Sequence, residues 1–206
     1  MILSEKDMKK IPFNEYTFHV SKDVYEPAED TFLLAENLVV DKNDVVLDVG
    51  TGCGILGILA AKKARMVVAV DVNPHAVCCA KMNAELNGVA EKMETLRSDL
   101  FKSIKKNVKF DLIIFNAPYL PSEMGEEKNW IERAWAGGPT GRQLIDQFIL
   151  RAPSYLKKGG KILLVQSTLS DVEETVQKLR ERQFCVRVLA QDKVAFETIV
   201  VIEATL

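Results

Sequence analysis

Residues 116–119, Asn-Ala-Pro-Tyr, bring together the groups needed to hold a planar nitrogen for reaction. An sp² nitrogen is a poor nucleophile because its lone pair is delocalised into a neighbouring carbonyl or ring. The side-chain carbonyl of Asn116 and the backbone carbonyl of Ala117 can accept its two N–H bonds. That pairing aims the lone pair and favours the positive charge that develops on nitrogen. Pro118 stiffens the backbone so that the second carbonyl stays aimed, and Tyr119 can stack on the flat face of an amide or a base. Asn-x-Pro is also a common turn, so the tetrapeptide points to chemistry only if the fold delivers it to a site.

A second group of residues says what the site would hold. Residues 45–54, Val-Val-Leu-Asp-Val-Gly-Thr-Gly-Cys-Gly, place Gly50, Gly52 and Gly54 directly after an apolar run. Glycines there allow a sharp turn and a close ligand approach. The spacing from Gly52 to Gly57 also fits a dinucleotide fingerprint, so the glycines alone do not choose a cofactor. Three acids do. Asp48, just ahead of the turn, would repel a pyrophosphate but suits the ammonium and sulfonium end of S-adenosyl-L-methionine. Asp71 ends the next apolar run, where a carboxylate can accept both ribose hydroxyls. Asp99 offers an acceptor for the exocyclic amine of adenine, with Leu100 against the ring. Each acid singly is an ordinary turn former; three in register after three successive strands are not.

The elements that must position these groups follow from patterning. Residues 16–20 read as extended and 27–39 as a helix with Pro27 at its first position. Strands are expected at 45–49, 66–72, 93–97, 112–115 and 161–166, and helices at 55–64, 76–87, 142–156 and 171–182. Two closing strands, 184–189 and 196–202, have about six residues between them, too few for a parallel crossover, so they form an antiparallel hairpin. Alternating strands and helices give a parallel sheet covered on both faces. The expected fold is therefore α/β: a seven-stranded, Rossmann-like class I methyltransferase sheet, mostly parallel, with a C-terminal antiparallel hairpin. Residues 1–206 read as one domain, with 1–40 an N-terminal extension and helix that complete the cofactor pocket.

Composition narrows the partners. Twenty-seven basic against twenty-nine acidic residues give a net charge of −2, which counts against a protein that depends on wrapping nucleic acid. The lysines between 102 and 109 read as a solvated loop and helix end. Cys53, Cys78, Cys79 and Cys185 form no C-x-x-C pair, and His19 and His75 lie far apart, so no metal site is expected. Free thiols, a charged start and no long apolar run lead to the expectation of a cytoplasmic protein without a membrane span.

The tetrapeptide and the glycine turn together resemble the HemK-like glutamine methyltransferases, whose motif is usually Asn-Pro-Pro-Tyr. Two further segments resemble the short archaeal and eukaryotic branch, which acts on class-1 peptide chain release factors. They are residues 24–34, Val-Tyr-Glu-Pro-Ala-Glu-Asp-Thr-Phe-Leu-Leu, and residues 134–138, Ala-Trp-Ala-Gly-Gly, followed by Gly141 and Arg142. The resemblance implies that Thr31 contacts the methionine end of the cofactor, and that Asp48, Gly50, Asp71, Asp99, Leu100 and Asn116 complete the pocket. It also implies methylation of the glutamine in a Gly-Gly-Gln loop. A small zinc-ribbon activator is implied as partner, adding a strand at the edge segment 93–96 that Met93 and Leu96 bound. Bacterial relatives carry an extra N-terminal helical domain, for which the residues before Tyr25 leave no room. Ala117 departs from the family motif: the carbonyl survives, but some preset stiffness is lost.

The connection 120–140 shows no periodicity, and connections of that length usually carry function. Glu123, Glu126 and Glu127 give it an acidic front that suits a basic protein loop, and Trp130 and Trp135 either close over substrate or pin the loop. The alternatives to a glutamine acceptor are an exocyclic base nitrogen in DNA or RNA, a lysine ammonium, and a non-enzymatic cofactor-binding subunit. No dedicated base for the lysine reaction stands out, and the non-enzyme would lack Asn116 or Asp48.

Overall fold

The computed structural model describes residues 8–123 and 129–206. Two short strands come first, β1 (Lys9–Phe13) and β2 (Tyr16–Val20), paired antiparallel as a separate two-stranded sheet. Patterning found β2 but read β1 as part of a polar opening, because its two lysines and a proline hide one buried residue, Ile11. Helix α1 (Glu29–Glu36) follows. It is shorter than the stretch expected, and Pro27 lies outside it: Ala28 is the extended residue that precedes the first turn.

The main sheet alternates with helices, with one helix, α4, that patterning did not indicate inside the connection 120–140: β3 (Val45–Val49), α2 (Ile55–Ala61), β4 (Met66–Asp71), α3 (Pro74–Leu86), β5 (Met93–Arg97), β6 (Phe110–Asn116), α4 (Trp130–Trp135), α5 (Gln143–Arg151), β7 (Leu156–Ser167), α6 (Val172–Glu181), β8 (Cys185–Val194) and β9 (Glu197–Thr205). Helix α3 begins two residues earlier than expected. Pro74 takes its first position, and the Asn73 side chain accepts from the His75 N–H as a cap.

The seven strands lie in the order β5-β4-β3-β6-β7-β9-β8. The first five are parallel to their neighbours, while β9 runs antiparallel between β7 and β8. The fold is the seven-stranded class I methyltransferase arrangement. Its closing hairpin is tighter than the sequence indicated, because both strands continue until only Ala195 and Phe196 make the turn. The chain runs outward from β3 to β5 and then returns to place β6 on the other side of β3. This reversal leaves a crevice at the carboxyl ends of β3 and β6, where open α/β sheets bind ligands.

The small sheet is fixed to the large one by asparagine amides standing in for strand partners. Asn83, fully buried in α3, accepts from the His19 N–H at 2.8 Å and donates to the His19 carbonyl at 2.7 Å and the Cys53 carbonyl at 2.8 Å. Asn87 donates to the Thr17 carbonyl at 3.0 Å. The first tie therefore joins β2, α3 and the glycine turn. Asn83→Leu should leave buried backbone groups without partners and lower unfolding free energy by about 2–3 kcal/mol. Urea denaturation measures it, and a loss below about 0.5 kcal/mol would show that the tie does not stabilise the fold.

Candidate active site

A cavity of about 360 Å³ opens at the crevice, within the range of about 300–1,000 Å³ usual for small-molecule sites. The glycine turn forms one wall. The N–H groups of Gly50 and Thr51 both donate to the Val70 carbonyl, at 2.8 and 3.0 Å, which locks the turn to β4. Gly50 and Gly52 have φ of +68° and +57°, a region that side chains disfavour. A Cβ at Gly52 would meet nothing within 4 Å, so the turn leaves open space where a ligand can lie against backbone.

Asp71 lines the cavity and is stapled to the same turn. Its two oxygens accept from the Gly52 and Asn73 N–H groups, each at 2.9 Å. Burial pushes its carboxyl above the usual carboxylate range, against those N–H groups, which lower it. Asp99 also lines the cavity; its carboxylate is partly exposed and holds Lys102 at 2.6 Å. Leu100 follows with a φ of +49°, unusual for a leucine. The Ser98 hydroxyl secures that bend by donating to the Leu100 carbonyl at 2.8 Å, and the leucine forms apolar wall beside Asp99.

Asp48 is where the structure departs from expectation. It does not line the cavity but lies beneath the turn, only 1 % exposed. One carboxylate oxygen accepts from the Thr51 hydroxyl at 2.6 Å and the Gly57 N–H at 3.0 Å. A Cβ on Gly57 would come within 2.9 Å of that oxygen, so the glycine at position 57, inside α2, permits the contact. Asp48 thus braces the turn from below rather than meeting a ligand's ammonium directly. The other oxygen has no hydrogen-bond partner among the described residues.

Asn116, the last residue of β6, faces the cavity with Ala117, Pro118 and Tyr119. Its Nδ2 donates to Asp30 Oδ2 and to Thr31 Oγ1, both at 3.1 Å. Its Oδ1 is buried and has no partner among the described residues. Asp30 also receives the Thr31 N–H at 2.6 Å, and the hydroxyls of Tyr25 and Tyr119 at 3.3 and 3.5 Å. Burial, then the Asp30 charge, holds both tyrosine hydroxyls well above their usual range, so they stay neutral donors. Helix α1 thus delivers Thr31 to the cavity together with Asp30. Patterning assigned Asp30 no role, since an acid in the first turn of a helix is ordinary.

The connection after Tyr119 is clasped rather than free. The Leu120 N–H donates to the Trp135 carbonyl at 3.0 Å, the Gly137 N–H to the Leu120 carbonyl at 2.8 Å, and the Ser122 N–H to the Gly138 carbonyl at 2.9 Å. Gly141 (φ +69°) lies so close that a Cβ would collide with the Tyr119 carbonyl. Arg142, 4 % exposed, ties this corner to α6 by donating to the Ser170 and Asp171 carbonyls at 2.5 and 2.6 Å. Rigidity that Ala117 does not supply is supplied by packing behind it. Trp130 and Trp135 both line the cavity from α4, with Arg133 over the Trp130 ring at 5.6 Å, so wall-forming and pinning are combined in one short helix. Glu126 and Glu127 lie outside the described residues, and Glu123 is exposed.

The family model for the methyltransferase small domain matches residues 16–194. The chain belongs to the HemK-like methyltransferases. A candidate protein N5-glutamine methyltransferase of Methanocaldococcus jannaschii is 46 % identical over 184 residues, spanning 88 % of this chain and 91 % of its own. The methyltransferase HEMK2 of Homo sapiens is 34 % identical over 173 residues, spanning 78 % of this chain and 79 % of its own. A chain of the E. cuniculi Mtq2–Trm112 complex, responsible for methylating the translation termination factor eRF1, matches with a TM-score of 0.70 at 27 % identity. The match spans 89 % of this chain and 98 % of that one. Membership of this family implies S-adenosylmethionine as methyl donor. Among the described residues no helix is long and apolar enough to cross a membrane.

The buried Asp48 gives the family fold a titratable brace. Burial pushes its carboxyl up to about 7 from 3.8, although the Thr51 hydroxyl and Gly57 N–H pull it down. A raised folded-state value means that the native state binds the extra proton, so this stabilisation is complete below the unfolded value and is lost as pH rises through about 7. The ligand-free protein should therefore melt at lower temperature as pH is raised from about 5 to 8. Asp48→Asn, a neutral mimic of the protonated acid, should flatten that slope. A variant with the same slope as the parent would rule Asp48 out as its origin.

Proposed function

We propose that this methyltransferase methylates the side-chain nitrogen of glutamine in the Gly-Gly-Gln loop of a class-1 peptide chain release factor. The observation that carries the reading is the unpaired Oδ1 of Asn116 at the cavity, with the amide's nitrogen already committed to Asp30 and Thr31. A carbonyl in that state is an acceptor waiting for an N–H, and a glutamine amide supplies two. The relatives named for glutamine or termination-factor methylation support this substrate class.

The residues present fit S-adenosylmethionine. The glycine turn offers backbone without a Cβ, Asp71 and Asp99 stand as acceptors for hydroxyl and amine groups, Leu100 provides an apolar face, and Thr31 lies at the other end. When bound, this cofactor supplies an electrophilic methyl group on a sulfonium. Asn116 Oδ1 and the Ala117 carbonyl orient the acceptor nitrogen and stabilise the charge that grows on it. Pro118 and the Tyr119 ring bound the flat face of the amide. No base is needed before transfer, because the amide proton is lost afterwards, once nitrogen carries the positive charge.

The partner we propose is a small zinc-ribbon subunit that adds a strand to β5. That strand is one of the sheet's two edges, the other being β8, and it leaves Leu96 38 % exposed.

Labelled S-adenosylmethionine incubated with a cognate release factor, with and without the zinc-ribbon subunit, should label the factor. Replacing the Gly-Gly-Gln glutamine should abolish the signal; label that survives the replacement would overturn the glutamine assignment. Asn116→Ala should hold cofactor affinity within about tenfold while lowering the single-turnover rate by about 100-fold or more. Retention of most of the turnover would remove Asn116 from the catalytic role.

A further inference from the structure

The amide of Asn116 can present either its oxygen or its nitrogen to the cavity, and the two choices have opposite consequences. An inward oxygen accepts from a substrate N–H; an inward NH₂ group meets that N–H donor to donor. Something must select the first. Pro118 and Ala117 act on the backbone and cannot, because the choice is a rotation about the last side-chain bond.

We infer that Asp30 is the positioning residue that fixes this choice. An ionised carboxylate accepts hydrogen bonds and donates none, so it takes the NH₂ end of Asn116 and rejects the carbonyl end. Asp30 Oδ2 accepts from Asn116 Nδ2 at 3.1 Å. Thr31 reinforces the order: its hydroxyl donates to Asp30 Oδ1 at 3.1 Å, which leaves the oxygen's lone pairs to accept from Asn116 Nδ2 at 3.1 Å. The carboxylate itself is held by neighbours from several elements. It is 5 % exposed and receives the Thr31 N–H at 2.6 Å, with the Tyr25 and Tyr119 hydroxyls close by. All the hydrogen bonds that Asp30 makes here are ones it accepts, from the Thr31 N–H and hydroxyl, the Asn116 amide and the two tyrosine hydroxyls. The result is an Asn116 whose Oδ1 alone is left unpartnered.

Asp30 and Thr31 are adjacent, and Thr31 lines the end of the cavity where we place the methionyl part of the cofactor. One carboxylate therefore joins the cofactor side and the acceptor side of the site, so disturbing it should alter the chemical step more than the binding of either ligand.

The test uses the full-length protein with its activator and the Asp30→Asn variant, which keeps volume but offers either a donor or an acceptor to Asn116. The first readout needs no substrate. The side-chain amide protons of Asn116, assigned by their absence in Asn116→Ala, should be sharp and protected from exchange in the parent. In Asp30→Asn they should broaden or exchange at least about tenfold faster. The second readout rests on the glutamine reading: with the release factor as acceptor, kcat should fall about 100-fold or more, with KM and cofactor Kd within about threefold of the parent. Unchanged Asn116 amide signals, or a kcat above about one third of the parent's, would overturn the role of Asp30. A parent enzyme that fails to methylate the release factor would count against the proposed substrate alone, and the amide signals would then decide on Asp30. A general loss of structure is distinguished by melting temperature and by cofactor affinity, both of which should be preserved; an equal loss of both would show a merely structural residue and refute the inference.

Discussion

Two carboxylates hold the turn after β3, and the rest of the site is arranged around that constraint. Asp71 takes the Gly52 N–H from the side of β4, and Asp48 takes the Gly57 N–H and the Thr51 hydroxyl from below. A turn with three glycines would otherwise be free to sample many conformations, and the entropy lost on ordering it is large. Because the acids come from adjacent parallel strands, the turn is set by the register of the sheet, in which Asp48 lies opposite Ala69 and Ile114. The wall of the cavity is therefore as stiff as the sheet. Carboxylates that bind backbone also cannot move to follow a ligand, which makes the site largely preformed.

The acceptor side is built on a different principle. Asn116 is fixed at its backbone by β6, yet its side chain is oriented by α1, and the segment after it is clasped by residues 135–141. None of these contacts is local in sequence. The glycines at 137 and 141 are required by closeness: the clasp leaves no room for a side chain between Gly137, Gly141 and the Tyr119 carbonyl. That closeness explains how the motif tolerates Ala117, whose own N–H donates to the Val165 carbonyl at 3.4 Å, a bond that a proline would not make.

How much of this was legible follows from the kind of interaction each residue makes. Alternation of apolar runs and helical segments revealed the parallel sheet, and the short link between the last strands revealed the hairpin. Asp71, Asp99, Leu100 and Asn116 were readable as cavity residues because each sits at or just past the end of a strand, a place that periodicity locates. Asp48 was found by the same rule, but spacing cannot say whether a buried acid faces up into a cavity or, as here, down onto Thr51 and the Gly57 N–H. Asp30 and Tyr25 were opaque for another reason. Asp30 bonds Asn116 and Tyr119, 86 and 89 residues away, and Tyr25 bonds Asp30 itself, so in a local window both look like a helix start. β1 was missed because Lys9 and Lys10 interrupt its alternation, and its stability comes from β2 and not from its own composition.

The place of β9 has a consequence for how the chain reaches this state. The last strand of the sequence is not at the rim; it lies between β7 and β8. Until it inserts, β8 has no partner and β7 has one open side. The corner at Gly159 and Gly160 also waits for Leu206, whose backbone it pairs with. Closure of the sheet thus depends on β9, which follows both of its neighbours in sequence. A chain without β9 would have a split sheet rather than a frayed one, with β8 stranded and the open side of β7 exposed to other chains.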